Sequence, residues 1–225
     1  MKRVVLCLIA VLFAASVAKA DAFLTGAVTV DNQFVAYLST SPTVQGVQIA
    51  TGSDWQSAGA VSGAQLTSGT TYYLQIAAVN LADGPGSDPS FNPQYPQYQW
   101  GAILGSFSLS NADFEFSNGT QNLITNPADW TYSYTGFGQG SNTPVAYGLN
   151  DGSTFPWGTY HGQIVGIDSS AQWIWDPITN YGPELWFETE ITPTSGVIPE
   201  PGSLFLLGSG LTALAGFIAR RRRSA

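Results

Sequence analysis

Apolar and polar side chains alternate in short runs through residues 23–191, and no stretch holds the three-to-four spacing of a long amphipathic helix. The runs are rich in aromatic and β-branched residues and are separated by Gly, Pro, Asn, Asp and Ser, which predicts strands at 23–30, 33–39, 70–80, 100–109, 113–116, 121–125, 130–135, 172–176 and 184–191. Residues 70–80 form the clearest of these. In 184–191, Leu185, Phe187, Thr189 and Ile191 alternate with Glu184, Trp186, Glu188 and Glu190, so one face is expected to be buried and the other acidic and wet. Ser117-Asn118-Gly119-Thr120 between two such runs predicts a hairpin with a type I′ turn, since Asn-Gly tolerates positive φ. Asn118-Gly119-Thr120 also spells a glycosylation sequon, although the turn alone accounts for it. Residues 83–96 hold four prolines and are expected to be the largest loop. The pattern predicts an all-β fold, a single β-sandwich.

Both chain ends depart from this pattern. Lys2-Arg3, an apolar run over 4–17 and Ala18-Lys19-Ala20 have the basic, hydrophobic and small-residue regions of a secretory signal peptide, with cleavage expected after Ala20. Cys7 lies inside that run, without the small residues that a lipoprotein cleavage site needs before it, and is expected to leave with the signal. At the other end Pro199-Glu200-Pro201 precedes 202–219, which carries no charge and at about 1.5 Å per residue would span roughly 27 Å as a helix, close to a bilayer core. Arg220, Arg221, Arg222 and Arg223 follow and are expected to stay cytoplasmic, placing everything before Pro199 outside. The chain thus divides into a signal peptide (1–20), an ectodomain (21–191), a short linker (192–198) and a C-terminal segment (199–225).

Charge then narrows the partners. All seven Lys and Arg lie in the two terminal segments, whereas of fifteen Asp and Glu only Glu200 does, so the ectodomain has no side-chain base except His161. Nucleic acid and anionic membrane surfaces are argued against, because both are bound through Lys and Arg. Neutral glycans, cations and basic partners stay open. Without salt bridges or disulfides, stability must come from apolar burial, strand ladders and neutral hydrogen bonds; an ectodomain of 171 residues is large enough for that.

The tripeptide Pro199-Glu200-Pro201, the Gly-containing apolar segment with Leu207-Gly208-Ser209-Gly210-Leu211 and the terminal Arg cluster, in that order, resemble the PEP-CTERM sorting signal of Gram-negative bacteria. The resemblance covers about 197–225. It implies a membrane-embedded exosortase as processing partner, a C-terminal anchor that is an inner-membrane intermediate, and delivery to the cell surface or the exopolysaccharide matrix. Physically, prolines at 199 and 201 disfavour helix and leave an extended, accessible segment for a processing enzyme. The bland alternative is a plain single-pass anchor.

Several ectodomain pieces also resemble galactose-binding-domain-like jelly rolls, which occur as carbohydrate-binding modules: residues 30–38, Trp55, 69–80, Pro156-Trp157-Gly158 and Ala171-Gln172-Trp173-Ile174-Trp175. That resemblance implies a jelly-roll-like two-sheet sandwich and transfers no ligand.

Candidate ligand contacts follow from aromatic placement. Trp157, Tyr160 and His161 lie in a Gly-rich, loop-like stretch, and Tyr95, Tyr98 and Trp100 follow the proline-rich loop; each set is either a packed loop or a sugar site. Trp173 and Trp175, two apart, are expected to share a strand face and to pack in the core, with an exposed platform that stacks on sugar rings as the alternative. Zinc is disfavoured by a single His and no mature Cys. Structural calcium would draw on Asp31, Asp83, Asp88 or Asp151, but no Asp-x-Asp-x-Asp-Gly loop is present, and no other cofactor is indicated. For an enzyme, Asp113 with Glu115 or Glu188 with Glu190 would supply glycosidase carboxylates, yet carboxylates two apart are the ordinary polar face of a strand. A Gly-x-Ser-x-Gly elbow is missing. The expectation is a non-catalytic, exosortase-sorted protein of the extracellular matrix or biofilm, binding glycan or structural, with a secreted glycan-active hydrolase as the alternative.

Intact-mass measurement of the exported protein tests both ends. The expected product begins at Asp21 and has lost the residues after the Pro199-Glu200-Pro201 region; a product retaining Arg220 to Arg223 would be a plain single-pass anchor.

Overall fold

The computed structural model describes residues 21–80, 101–177 and 184–194; the signal peptide, the proline-rich loop with Asp83, Asp88, Tyr95, Tyr98 and Trp100, the linker from 195 and the C-terminal segment lie outside the described residues. Twelve strands are described: β1 (Ala22–Asp31), β2 (Gln33–Ser39), β3 (Val47–Gly52), β4 (Gly59–Leu66), β5 (Tyr72–Val79), β6 (Ala102–Leu109), β7 (Phe114–Phe116), β8 (Asn122–Ile124), β9 (Thr131–Ser133), β10 (Val145–Leu149), β11 (Gln172–Trp175) and β12 (Glu184–Pro193). One helical turn, α1 (Trp157–His161), lies between β10 and β11. The fold is all-β, with two antiparallel sheets of six strands each. The first runs β10-β11-β6-β1-β4, with β8 also on β6; the second runs β3-β2-β5-β12-β7, with β9 also on β12.

Alternation explains the core between the sheets. In β12, Leu185, Phe187, Thr189 and Ile191 point inward as expected, and Leu24, Val28, Val30, Phe34, Ala36, Leu74, Ile76, Ile103 and Phe107 meet them from both sheets. β5 is buried on both faces because loops cover the outside of the second sheet: Gln75, itself fully buried, donates its amide to the carbonyls of Ser41 and Pro42 and accepts from the Gly46 N–H. Nearby, Phe137 closes edge-on over Tyr37 at 6.0 Å.

β3, β4 and β10 give only a weak period in the sequence. β3 and β4 are edge strands of small residues, with one and two buried positions respectively, and β10 is broken at Gly148, whose φ of 150° bulges the pairing to β11. The hairpin expected at Ser117-Asn118-Gly119-Thr120 is corrected. The turn is present, but the positive φ lies on Gly119 alone, and the Gly119 N–H donates to the Phe116 carbonyl, so it is a three-residue turn without type I′ geometry. Its arms also part, β7 joining the second sheet and β8 the first.

A second hydrophobic cluster sits on the outer face of the first sheet, where the arch 150–171 packs Trp157, Ile164, Ile167 and Ala171 onto Ala102, Leu104 and Trp173. Asn150, buried at the foot of the arch, holds it shut. Its amide donates to the carbonyls of Ile164 (3.1 Å) and Ile167 (3.0 Å), and its oxygen accepts from the Ile164 N–H (2.8 Å). Both ends of the domain meet at the 110–113 loop: Ser110 exchanges hydrogen bonds with Phe23, Asn111 donates to the Asp21 carbonyl, and Thr194 donates to the carbonyls of Ala112 and Asp113.

Asn150→Ala leaves buried backbone groups of the arch unpaired, each costing about 1–3 kcal/mol. A loss of about 2–4 kcal/mol is expected, read as a Tm lower by roughly 5–12 °C, and near-UV circular dichroism should show loss of the Trp157–Trp173 stack.

Candidate functional site

The arch and the 53–58 loop together build an aromatic surface. Thr29, fully buried in β1, donates its hydroxyl toward the carbonyls of Asp54 (3.3 Å) and Trp55 (3.0 Å), pinning the loop. Trp55 is half-buried at the rim of the outer cluster and meets His161 edge-on at 5.8 Å. On the neighbouring turn Tyr160, 65 % exposed, lies 5.8 Å from Phe155, 37 % exposed. Four aromatic side chains from two loops thus offer solvent-facing area.

Of the two alternatives for Trp157, a packed loop or a sugar site, the structure shows the packed one. Its ring is fully buried and stacked on Trp173 at 4.7 Å and 15°, with Tyr147 tilted against it, and its indole N–H donates to the Asp31 carboxylate at 2.9 Å. Burying a side chain of this size is worth about 4–6 kcal/mol as an upper bound, which outweighs keeping it free for a ligand. Trp173 and Trp175 are both buried but do not share a face: Trp173 belongs to the outer cluster, whereas Trp175 packs in the sandwich core against Phe187 at 5.5 Å. Tyr160 and His161 stay at the surface.

Asp31 and Asp151, the candidate calcium ligands, are engaged locally. Asp31 binds the Trp157 indole, and Asp151 accepts from the N–H (2.8 Å) and hydroxyl (2.6 Å) of Ser153. The Ser153 hydroxyl, then its N–H, holds the Asp151 carboxyl below the usual carboxylate range, so it is charged at neutral pH. Among the described residues no three His, Cys, Asp or Glu gather as a metal site.

Sequence reasoning missed a buried carboxylate. Asp176 is fully buried at the end of β11, where Tyr132 and Tyr134 donate their hydroxyls to its two oxygens at 3.1 and 2.6 Å and the Tyr147 hydroxyl donates to its carbonyl. Burial first, then mutual bonding and the Asp176 charge, raise the Tyr132 hydroxyl far above its ordinary range. The partners come from sequence positions more than 25 residues away, so no local motif marks them.

Two grooves also lie among the described residues. A cleft of about 680 Å3 between β3 and β4 is lined by Leu38, Val44, Val47, Ile49, Ala64 and Tyr72. A smaller one of about 300 Å3 gathers Tyr73, Asp129, Glu188 and Glu190 on the outer face of β12. There Glu188, half-buried, accepts from the Gln75 amide at 3.0 Å. The expectation of a wet acidic face is therefore met at the exposed Glu184 and Glu190, and modified at Glu188 by the loop that Gln75 ties down. Burial raises the Glu188 carboxyl, the Gln75 bond opposes this, and the neighbouring Glu190 charge adds to the rise. A raised carboxyl favours the protonated form in the folded state, so its contribution to stability is present at low pH and is lost as pH rises through the folded value. Glu188→Gln should therefore match or exceed the parent Tm at pH 7, with the difference closing toward about pH 4, the ordinary Glu range; a thermal melt series across pH checks it.

Residues 197–223 match the model of the PEP-CTERM protein-sorting motif. No curated protein and no solved structure matches the chain. The motif implies an exported protein with a membrane-associated sorting intermediate, destined for the cell surface, and an exosortase as its processing partner.

Proposed function

We propose that the exported domain is a non-catalytic glycan-binding component of the extracellular polysaccharide matrix of a Gram-negative bacterium, released to the surface after an exosortase removes an apolar C-terminal anchor. The observation that carries this reading is the aromatic surface of Trp55, Phe155, Tyr160 and His161 on a domain without Lys or Arg. Sugar rings present apolar C–H faces that stack on aromatic rings, and neutral glycans need no basic side chain for recognition. The resemblance to galactose-binding-like jelly rolls agrees with a sandwich that displays a ligand site on its loops, and the two-sheet architecture is compatible with it. Position supports the reading as well. Along β1, Thr29, which pins the Trp55 loop, lies about 20 Å from Phe23 at ~3.3 Å per residue, and Phe23 marks the end where both termini leave the domain. The aromatic surface therefore sits away from the point of attachment to the sorting segment.

A pull-down of the full-length chain in mild detergent with the producing organism's own exopolysaccharide tests this. Saturable retention is expected, weakened about tenfold by Tyr160→Ala or Trp55→Ala, equivalent to about 1.4 kcal/mol each. No retention, or retention unchanged in both variants, would leave the domain a structural surface protein. Trp157→Ala is the wrong probe, since it would empty the outer core.

A further inference from the structure

The ligand class of the aromatic surface can be taken further, on the footing of the glycan-binding reading above. Its setting is strongly one-signed. Asp54 directly precedes Trp55 and is exposed, its carboxylate oriented by the Gln56 N–H (3.0 Å) and the Ser57 hydroxyl (2.9 Å). Asp151 flanks α1, because Gly152 beside it packs against Gly158 in the helical turn so closely that a Cβ on Gly158 would lie 2.7 Å from the Gly152 carbonyl carbon. Its bonds to Ser153 use one oxygen, Oδ1. Two fixed carboxylates thus sit on the same two loops that carry the four aromatic side chains, and the domain that carries them has no lysine or arginine to offset them.

Aromatic faces carry partial negative charge and attract ammonium groups placed over them, and flanking carboxylates add to that attraction. The same field repels uronate and sulfate polymers. We infer that this surface selects an amine-bearing polysaccharide, a partly de-N-acetylated amino-sugar polymer, whose ring faces stack on Tyr160 and Trp55 while its ammonium groups lie toward Asp54 and Asp151. No bond is made or broken; the selection is by charge and stacking alone.

The test uses the full-length chain in mild detergent and three soluble hexasaccharide probes of equal length: a β-1,4-glucosamine, its fully N-acetylated form and a uronate, each titrated at about 20 mM and about 500 mM salt. The glucosamine probe is expected to bind at least tenfold more tightly than the acetylated one at low salt, to lose most of that margin at high salt as the charges are screened, and the uronate to show no binding. Asp151→Asn and Asp54→Asn should each weaken the glucosamine probe by about 3-fold or more while leaving the acetylated probe unchanged. Tyr160→Ala should weaken both. Equal, salt-insensitive binding of glucosamine and acetylated probes would overturn the amine selection and leave glycan binding standing. Glucosamine binding that Tyr160→Ala, Trp55→Ala and both Asp variants leave untouched would reassign it to the general charge of the domain and overturn the site. Absence of binding to all three would remove the amine inference, and the exopolysaccharide pull-down then decides the glycan-binding reading separately. Melting curves of each variant show that it is folded.

Discussion

A domain that carries fourteen carboxylates and no lysine or arginine must satisfy its buried polar groups with neutral donors, and the architecture follows from that constraint. Asp176 is fully buried and would be prohibitive if unpaired. It is held by the hydroxyls of Tyr132, in β9 of the other sheet, and of Tyr134 just beyond that strand, so the bond that makes the charge tolerable also ties the sheets together. Gln75, Thr29, Asn150 and Thr125 do the same elsewhere: each is buried, and each uses amide or hydroxyl groups to close a loop or strand end onto a sheet. Arg–carboxylate pairs would be stronger individually. Here the work is spread over many neutral bonds of about 1 kcal/mol net each, together with the aromatic core.

Topology adds a second consequence. Among the described residues β12 is the last strand, yet it pairs with β5 from Glu184 to Ile191 and with β7 and β9 on its other side. The second sheet therefore cannot close until the chain up to Pro193 is available, and the sorting motif begins four residues beyond that strand, at 197. Clasping of Asp21, Phe23 and Thr194 by the 110–113 loop keeps both ends together, away from the loops at the other end of β1 that carry the aromatic surface.

That surface is built by burial as much as by exposure. Trp157 enters the outer cluster and stacks on Trp173, and by doing so it fixes the turn that presents Tyr160 and His161. Its partner Asp31, two residues beyond the Thr29 that pins the Trp55 loop, links the arch to β1. The two halves of the aromatic surface are thus registered on one strand. The anionic character of the domain comes from the composition, whereas the meeting of the two loops that carry the rings comes from the fold.

Period-two alternation, aromatic runs and turn residues made the all-β class and nine of the strands legible, because strands with large inward side chains announce themselves locally. The edge strands β3 and β4 and the Gly-broken β10 were not legible, since small side chains at an edge carry little hydrophobic signal. Within the candidate site, Tyr160 and His161 were visible as aromatic residues in a Gly-rich loop, while Trp55 entered the sequence reading only as part of a fold resemblance. Composition and terminal motifs by themselves determined the base-free charge of the domain and its sorting signal, both being properties of linear order. Only the tertiary structure decided that Trp157 goes in while Tyr160 stays out, that Trp173 and Trp175 lie in different clusters, and that Asp176 meets two tyrosines, because each outcome depends on neighbours brought from distant segments by the pairing of the sheets.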